Sequence, residues 1–208
     1  MNYLKTNLLI LIKLSAYKNL RPLDEKKKLR RKYLKIRKEL SDDYVSQSSR
    51  LIIQRVLESA EYRKARTIHC YVSIIENKEV YTQDLIKLSL QKGKKVVVPK
   101  MVGNKQLSHI YLKSMDDLAL NDWNVPEPRS NDEADISELD LILVPMVAGD
   151  RHKNRLGYGQ GYYDRFLNRS NCKKMGLLFS CQLTENKLPV DPFDVPMDIM
   201  ITENERIE

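Results

Sequence analysis

Thr67-Ile68-His69-Cys70-Tyr71-Val72 is an almost unbroken apolar and β-branched run, and it reads as a buried strand. Thr82 then opens a helix carried by Leu85, Ile86, Leu88 and Leu90, and Gly93 ends it. Lys95-Val96-Val97-Val98 follows as a second strand, stopped by Pro99. A strand, a helix and a strand in this order form a crossover unit. Its strands are therefore expected to be parallel, and such sheets are covered on both faces.

The same periodicities extend the unit in both directions. Upstream, Asp24 is expected to cap a helix running to about Leu40, with Leu29, Tyr33, Ile36 and Leu40 on one face and basic residues on the remainder. Ser41 is expected to cap a second helix, striped by Ile52, Ile53, Val56 and Leu57. Downstream, Leu107 to Leu112 reads as a strand and Met115 to Leu120 as a short helix. Residues 121–138 are polar and acidic and read as a long loop. Leu139 to Val144 is the most apolar strand. A loop of about 15 residues leads from it to a helix near Gly161, and strands at Met175 to Phe179 and Met197 to Thr202 complete the set. The expectation is α/β: a single three-layer α/β/α domain over residues 23–208 with a mostly parallel central sheet. Residues 1–22 read as an N-terminal extension that need not be ordered.

Composition narrows the function classes. The 208 residues are 42% hydrophobic, too apolar for a disordered chain. No stretch approaches the roughly 20 apolar residues of a membrane span, and Lys13 interrupts the best candidate, Leu8 to Ile12. Lys plus Arg is 36 and Asp plus Glu is 28, a net charge of +8. Nine basic residues and no acid lie between Lys26 and Lys38, so one helix carries the excess. With aromatics at only 7%, that charge does not describe a nucleic-acid platform. Cys70, Cys172 and Cys181 form no C-x-x-C pair, which argues against disulfides and zinc and for a reducing cytoplasm.

Three of the seven glycines, Gly157, Gly159 and Gly161, stand at alternate positions in Arg155-Leu156-Gly157-Tyr158-Gly159-Gln160-Gly161-Tyr162-Tyr163-Asp164-Arg165. Alternate glycines let backbone N–H groups approach an anion, and a following helix adds its positive end. Arg155 could hold phosphate and Asp164 could hold Mg2+. No G-K-[ST] follows, and the spacing is not that of a dinucleotide loop. Composition alone leaves phosphate binding and a plain glycine turn both open.

The whole string closely resembles the 5-formyltetrahydrofolate cyclo-ligase family. Further segments fit it in order: Lys26-Lys27-Lys28-Leu29-Arg30, Glu79-Val80-Tyr81-Thr82, Asn124 to Pro128, Leu188 to Pro196, and Asp198 to Glu203. The likeness covers about residues 24–203. It implies ATP- and Mg2+-dependent closure of 5-formyltetrahydrofolate to 5,10-methenyltetrahydrofolate, with ATP as co-substrate. It also implies small-molecule partners only, with no nucleic acid or membrane, and a cytoplasmic monomer.

The resemblance implies site roles as well. Lys26 and Arg30 would contact ATP, and Arg155, Leu156, Gly157, Tyr158, Gly159, Gln160, Gly161, Tyr162 and Tyr163 would wrap its phosphates, with Arg155 catalytic. Val72, Glu79 and Tyr158 to Tyr162 would face the folate, and Asp164 and Asp194 would hold Mg2+. Plain alternatives are a solvated helix for the other basic residues, packing for Tyr162 and Tyr163, and a turn role for Asp194. The sequence departs from the family at Gly149, where Phe is usual, at Lys153, where Gly is usual, and at Tyr81, where an acid is common. Two extra residues between Ser73 and Glu79 make Glu76 a rival for the pterin contact.

Overall fold

The computed structural model describes residues 22–208. The extension expected over 1–22 lies, Pro22 apart, outside the described residues. A seven-stranded sheet is built from β1 (Thr67–Cys70), β2 (Lys95–Val102), β3 (Gln106–Leu112), β6 (Leu141–Pro145), β9 (Lys173–Leu177), β11 (Ile199–Ile201) and β12 (Arg206–Ile207). Their order is β12-β11-β9-β6-β1-β2-β3. The five inner strands are parallel, and β3 and β12 run antiparallel at the two edges. Ile68 stands opposite both Val96 and Leu141, so the first crossover unit has the parallel register expected of it.

Side chains alternate between the two faces, as strand geometry requires. Ile68, Cys70, Val96, Val98, Leu141 and Leu143 face the helices α2 (Asp42–Glu58), α3 (Ala60–Lys64) and α4 (Gln83–Gln91). Val97, Ile142, Val144 and Met200 face the six-residue α5 (Tyr162–Leu167) and the irregular segments around Leu139 and Met197. The second outer layer is therefore mostly coil. Ser41 caps α2 as expected, accepting the backbone N–H of Tyr44 at 3.2 Å.

Several boundaries differ from expectation. The first helix, α1 (Pro22–Lys38), starts two residues before Asp24, which sits in its first turn rather than at the cap. Proline is suited to a first turn because its missing N–H would have no helical partner. β2 runs through Pro99 to Val102. Its pairing with β1 ends at Val97, so Pro99 lies where one side of the strand is unpaired and a missing N–H is tolerated. Residues 115–120 form a 3-10 turn (Met115–Asp117) and then β4 (Leu118–Leu120), not a helix. β4 pairs with β5 (Pro126–Pro128), so the first part of the expected loop over 121–138 belongs to a hairpin, while residues 129–135 remain irregular. The loop after β6 also folds: β7 (Ala148–Asp150) and β8 (Arg155–Leu156) pair antiparallel, and β10 (Leu183–Thr184) joins β7. These strands are only two or three residues long, too short for any periodicity to register.

His69 and His109 are buried under Phe166, their rings 5.2 Å apart and linked by a 3.2 Å contact between His109 Nδ1 and His69 Nε2. Burial lowers both, His109 to about 4. The unfolded chain binds their protons near pH 6.5, so the stabilisation is complete above that pH and is lost as pH falls toward about 4. Chemical denaturation between pH 7 and pH 4.5 should show this loss, and His109→Gln should flatten it by roughly 1–3 kcal/mol. Parallel stability curves for the two proteins would refute the assignment.

Candidate active site

A cleft of about 270 Å³ opens at the carboxyl ends of β1 and β6, the usual ligand position in a parallel sheet. Val72 and Glu79 wall one side, Met101 and Leu107 another, and Arg155 to Asp164 close it. Of the expected site residues, Val72, Glu79, Arg155, Gly157 to Tyr163 and Asp164 line this cleft. Leu156 does not. Side chains alternate along β8, so Arg155 turns to the cleft while Leu156 is buried with Tyr33, Val147 and Leu188.

The glycine loop is shaped by its neighbours. Gly159 and Gly161 have φ of +95° and +72°, which favours residues without a side chain. A Cβ at Gly157 would meet Arg155 Nη1 at 2.7 Å, and one at Gly159 would meet Arg30 Cζ at 3.0 Å. Arg30 Nε donates to Gly157 O at 2.8 Å, so α1 is fastened to the loop. Among the described residues, the backbone N–H groups of Gly157 through Gly161 donate to no protein acceptor. Two buried donors lining the same cleft, Arg155 Nε and the Tyr163 hydroxyl, also lack a partner. The two buried donors cost free energy unless a ligand accepts from them, while the loop N–H groups around the exposed Tyr158 to Gln160 are open to solvent or ligand. The expected helix dipole is a minor contributor, because α5 spans only six residues.

Gly159→Ala should combine backbone strain of about 1 kcal/mol with displacement of Arg30. If the loop holds the phosphates of ATP, as the resemblance implies, KM for ATP should rise several-fold. Gly103→Ala, at a glycine with open space around it, should leave that constant unchanged. Equal values for the two variants would mean that the loop conformation is not what binds the nucleotide.

Charge beside the loop is paired internally. Lys26, only 4% exposed, bridges Asp191 at 2.6 Å and Asp194 at shorter range. Arg155 Nη2 meets Asp164 Oδ1 at 2.6 Å. Burial lowers the Arg30 guanidinium, while Asp194, Asp164 and Asp191 oppose that shift, so the three acids surround it. Asp191 gave no signal of its own in sequence. It shares a lysine with Asp194 because the turn 191–194 folds back, with Asp191 N–H donating to Asp194 Oδ2 at 2.7 Å.

Glu79 and Glu76 part company. Glu79 is buried, takes the backbone N–H of Ile74 at 2.9 Å on Oε2 and the Tyr158 hydroxyl on Oε1, and has its pKa raised by burial. Glu76 is exposed on a 3-10 turn (Ile75–Asn77). Arg37, on α1, is 3% exposed with its guanidinium 5.4 Å from the Tyr158 ring centroid. Its burial departs from the solvated helix face expected for the basic residues other than Lys26 and Arg30.

A sequence profile of the 5-formyltetrahydrofolate cyclo-ligase family matches residues 22–203. The chain belongs to this family. It is 31% identical over 185 residues to 5-formyltetrahydrofolate cyclo-ligase of Haemophilus influenzae, covering 85% of this chain and 97% of that one. The probable 5-formyltetrahydrofolate cyclo-ligase of Schizosaccharomyces pombe is 29% identical, with 78% and 87% covered. The solved 5,10-methenyltetrahydrofolate synthetase of Aquifex aeolicus superposes with a TM-score of 0.79 at 32% identity, covering 88% and 92%. Two positions that the resemblance singled out are locally constrained. A Cβ at Gly149 would lie 2.7 Å from Met200 Sδ, so a larger residue there would displace Met200. Lys153 has φ of +65°, a conformation that favours glycine.

Proposed function

We propose that this protein converts 5-formyltetrahydrofolate to 5,10-methenyltetrahydrofolate at the expense of ATP. Family membership supports the reaction. The observation that carries it in this chain is the set of unpartnered donors, Gly157 to Gly161 N–H, Arg155 Nε and Tyr163 OH, around one cleft that also holds a buried carboxylate. The formyl oxygen attacks the γ-phosphorus of ATP and ADP leaves. The neighbouring amine nitrogen attacks the activated formyl carbon, phosphate departs, and the nitrogen loses its proton as the ring closes. Both nucleophiles belong to the substrates, so the protein's part is positioning and charge neutralisation.

In this reading the glycine-loop N–H groups, Arg30 and Lys26 hold the phosphates, and Arg155 faces the phosphoryl group in flight. Glu79 accepts paired N–H donors of the pterin, and Val72 covers its apolar side. Asp164 and Asp194 would hold Mg2+ in this reading. They are hard oxygen donors, 24% and 23% exposed, and Asp164 Oδ2 and Asp194 Oδ1 accept no hydrogen bond among the described residues. Two carboxylates suffice, because Mg2+ keeps waters and phosphate oxygens as its other ligands. The ion would neutralise phosphate charge. Lys26 and Arg155 would then exchange their carboxylate partners for phosphate oxygens.

Among the described residues no helix is long and apolar enough to cross a membrane. A cytoplasmic monomer acting on small molecules remains part of the proposal, supported by three free cysteines. The test follows methenyl product by near-ultraviolet absorbance and ADP by a coupled assay. Both should require ATP, Mg2+ and 5-formyltetrahydrofolate together. ADP released at the same rate without the folate would overturn the coupled mechanism.

A further inference from the structure

The buried ridge of α1 is not its apolar stripe alone. Lys26, Arg30, Tyr33 and Arg37 are spaced by four, three and four residues, so they share one face, and Lys26, Tyr33 and Arg37 are nearly inaccessible. Lys26 has two carboxylates to offset its burial. Arg37 forms no ion pair among the described residues, and a guanidinium cannot shed its charge. Its burial therefore needs another compensation.

Two groups supply it. The guanidinium stands against the face of Tyr158, 5.4 Å from the ring centroid. The hydroxyl of that tyrosine donates to Glu79 Oε1, so the three side chains form a chain from α1 through the glycine loop to the segment after β1. We propose that Arg37 is a positioning residue for the folate, holding the Tyr158 hydroxyl on Glu79 and providing the positive charge that keeps this buried carboxylate an acceptor. The inference rests on the reading of Glu79 as the pterin contact.

The physical need is specific. A carboxylate with one hydrogen bond on each oxygen still has lone pairs for two N–H donors of a pterin. A protonated Glu79 would turn an O–H toward those donors and repel them. Burial pushes Glu79 toward protonation, while Tyr158, the Ile74 N–H and Arg37 oppose it. The other titratable groups near it, Tyr71 and Tyr163, are buried phenols that stay neutral and contribute no charge. Arg37 is then the one cation acting on Glu79 among the described residues.

The experiment compares wild type, Arg37→Met and Arg37→Lys in steady-state methenyl formation from pH 5.5 to 8.5, with a melting curve for each. Arg37→Met should raise KM for 5-formyltetrahydrofolate about tenfold at pH 7 and leave KM for ATP within about twofold. The acid limb of kcat/KM for the folate should move up by about one pH unit. Arg37→Lys should restore the limb, because it restores the charge, but not the whole KM, because it cannot stack. In a Glu79→Gln background, Arg37→Met should shift no limb. If Arg37→Met does not fold, the limb of Arg37→Lys and that of Tyr158→Phe decide: the first unmoved and the second raised supports the role, and any other pattern refutes it. An unmoved limb in Arg37→Met, or equal losses for ATP and folate, would overturn the inference while the cyclo-ligase reading stands. Wild-type protein that makes no methenyl product would overturn the reading itself.

Discussion

Glu79→Gln should raise KM for 5-formyltetrahydrofolate by about 10- to 100-fold, the cost of replacing charge-assisted hydrogen bonds with neutral ones. KM for ATP should stay within about twofold. The substitution keeps the size of the side chain, and Glu79 touches Ile74 and Tyr158 rather than the cations around the phosphates. Stability should fall modestly, because the neutral amide leaves the buried Arg37 without the negative charge that faces it. The pH dependence separates this effect from simple misplacement. Folate binding by the wild type should weaken as pH falls through the raised pKa of Glu79, whereas the glutamine variant, with nothing to titrate, should bind poorly at every pH. Glu76→Gln, on an exposed turn, should behave as wild type. A larger loss from Glu76→Gln, or equal increases in both KM values for Glu79→Gln, would contradict the placement of the folate.

The second large effect is on turnover. Arg155→Lys should lower kcat roughly 100-fold while changing KM for ATP only a few-fold. The guanidinium bonds Asp164 through Nη2 at 2.6 Å and approaches Pro145 O through Nη1 at 3.4 Å, with Nε buried and unpartnered. It lies 5.8 Å from the Tyr163 ring centroid. That fork is oriented before any ligand arrives, and it has a donor to spare. Lysine is a point charge on a flexible stem and cannot hold two phosphoryl oxygens in a fixed plane. Gly157 leaves room for the larger head, so the loop should keep its shape around the smaller one. Melting curves should therefore nearly coincide. Wild-type kcat with a raised KM for ATP would reduce Arg155 to a ground-state clamp.

The two variants probe residues that the sequence exposes to different degrees. The glycine spacing marks the loop, and its φ angles and neighbouring arginines explain that spacing. The inner strands of the main sheet are legible because they are buried on both faces, which selects uninterrupted apolar runs such as Leu141 to Val144, whereas the two-residue edge strand β12 left no trace. The small sheet β10-β7-β8 and the β4-β5 hairpin are not legible. Their strands are only two or three residues long, and backbone pairing rather than a periodic apolar pattern defines them.

The sequence by itself determined the parallel α/β architecture, the position of the glycine loop and the family, because each depends on local pattern or on ordered motifs. The ordered motif marks Lys26 and Arg30 on α1, and only the tertiary structure shows what holds Lys26 and that Arg37 is buried beside them. The motif apart, nine similar basic side chains in thirteen residues offer no local distinction. Lys26 is singled out by Asp191 and Asp194, 165 and 168 residues away, and Arg37 by Tyr158 and Glu79. Apolar burial leaves a periodic trace because every core position obeys the same rule. A buried charge is tolerated only where a distant partner compensates it, and that partner is set by how the chain folds back, not by its neighbours in sequence.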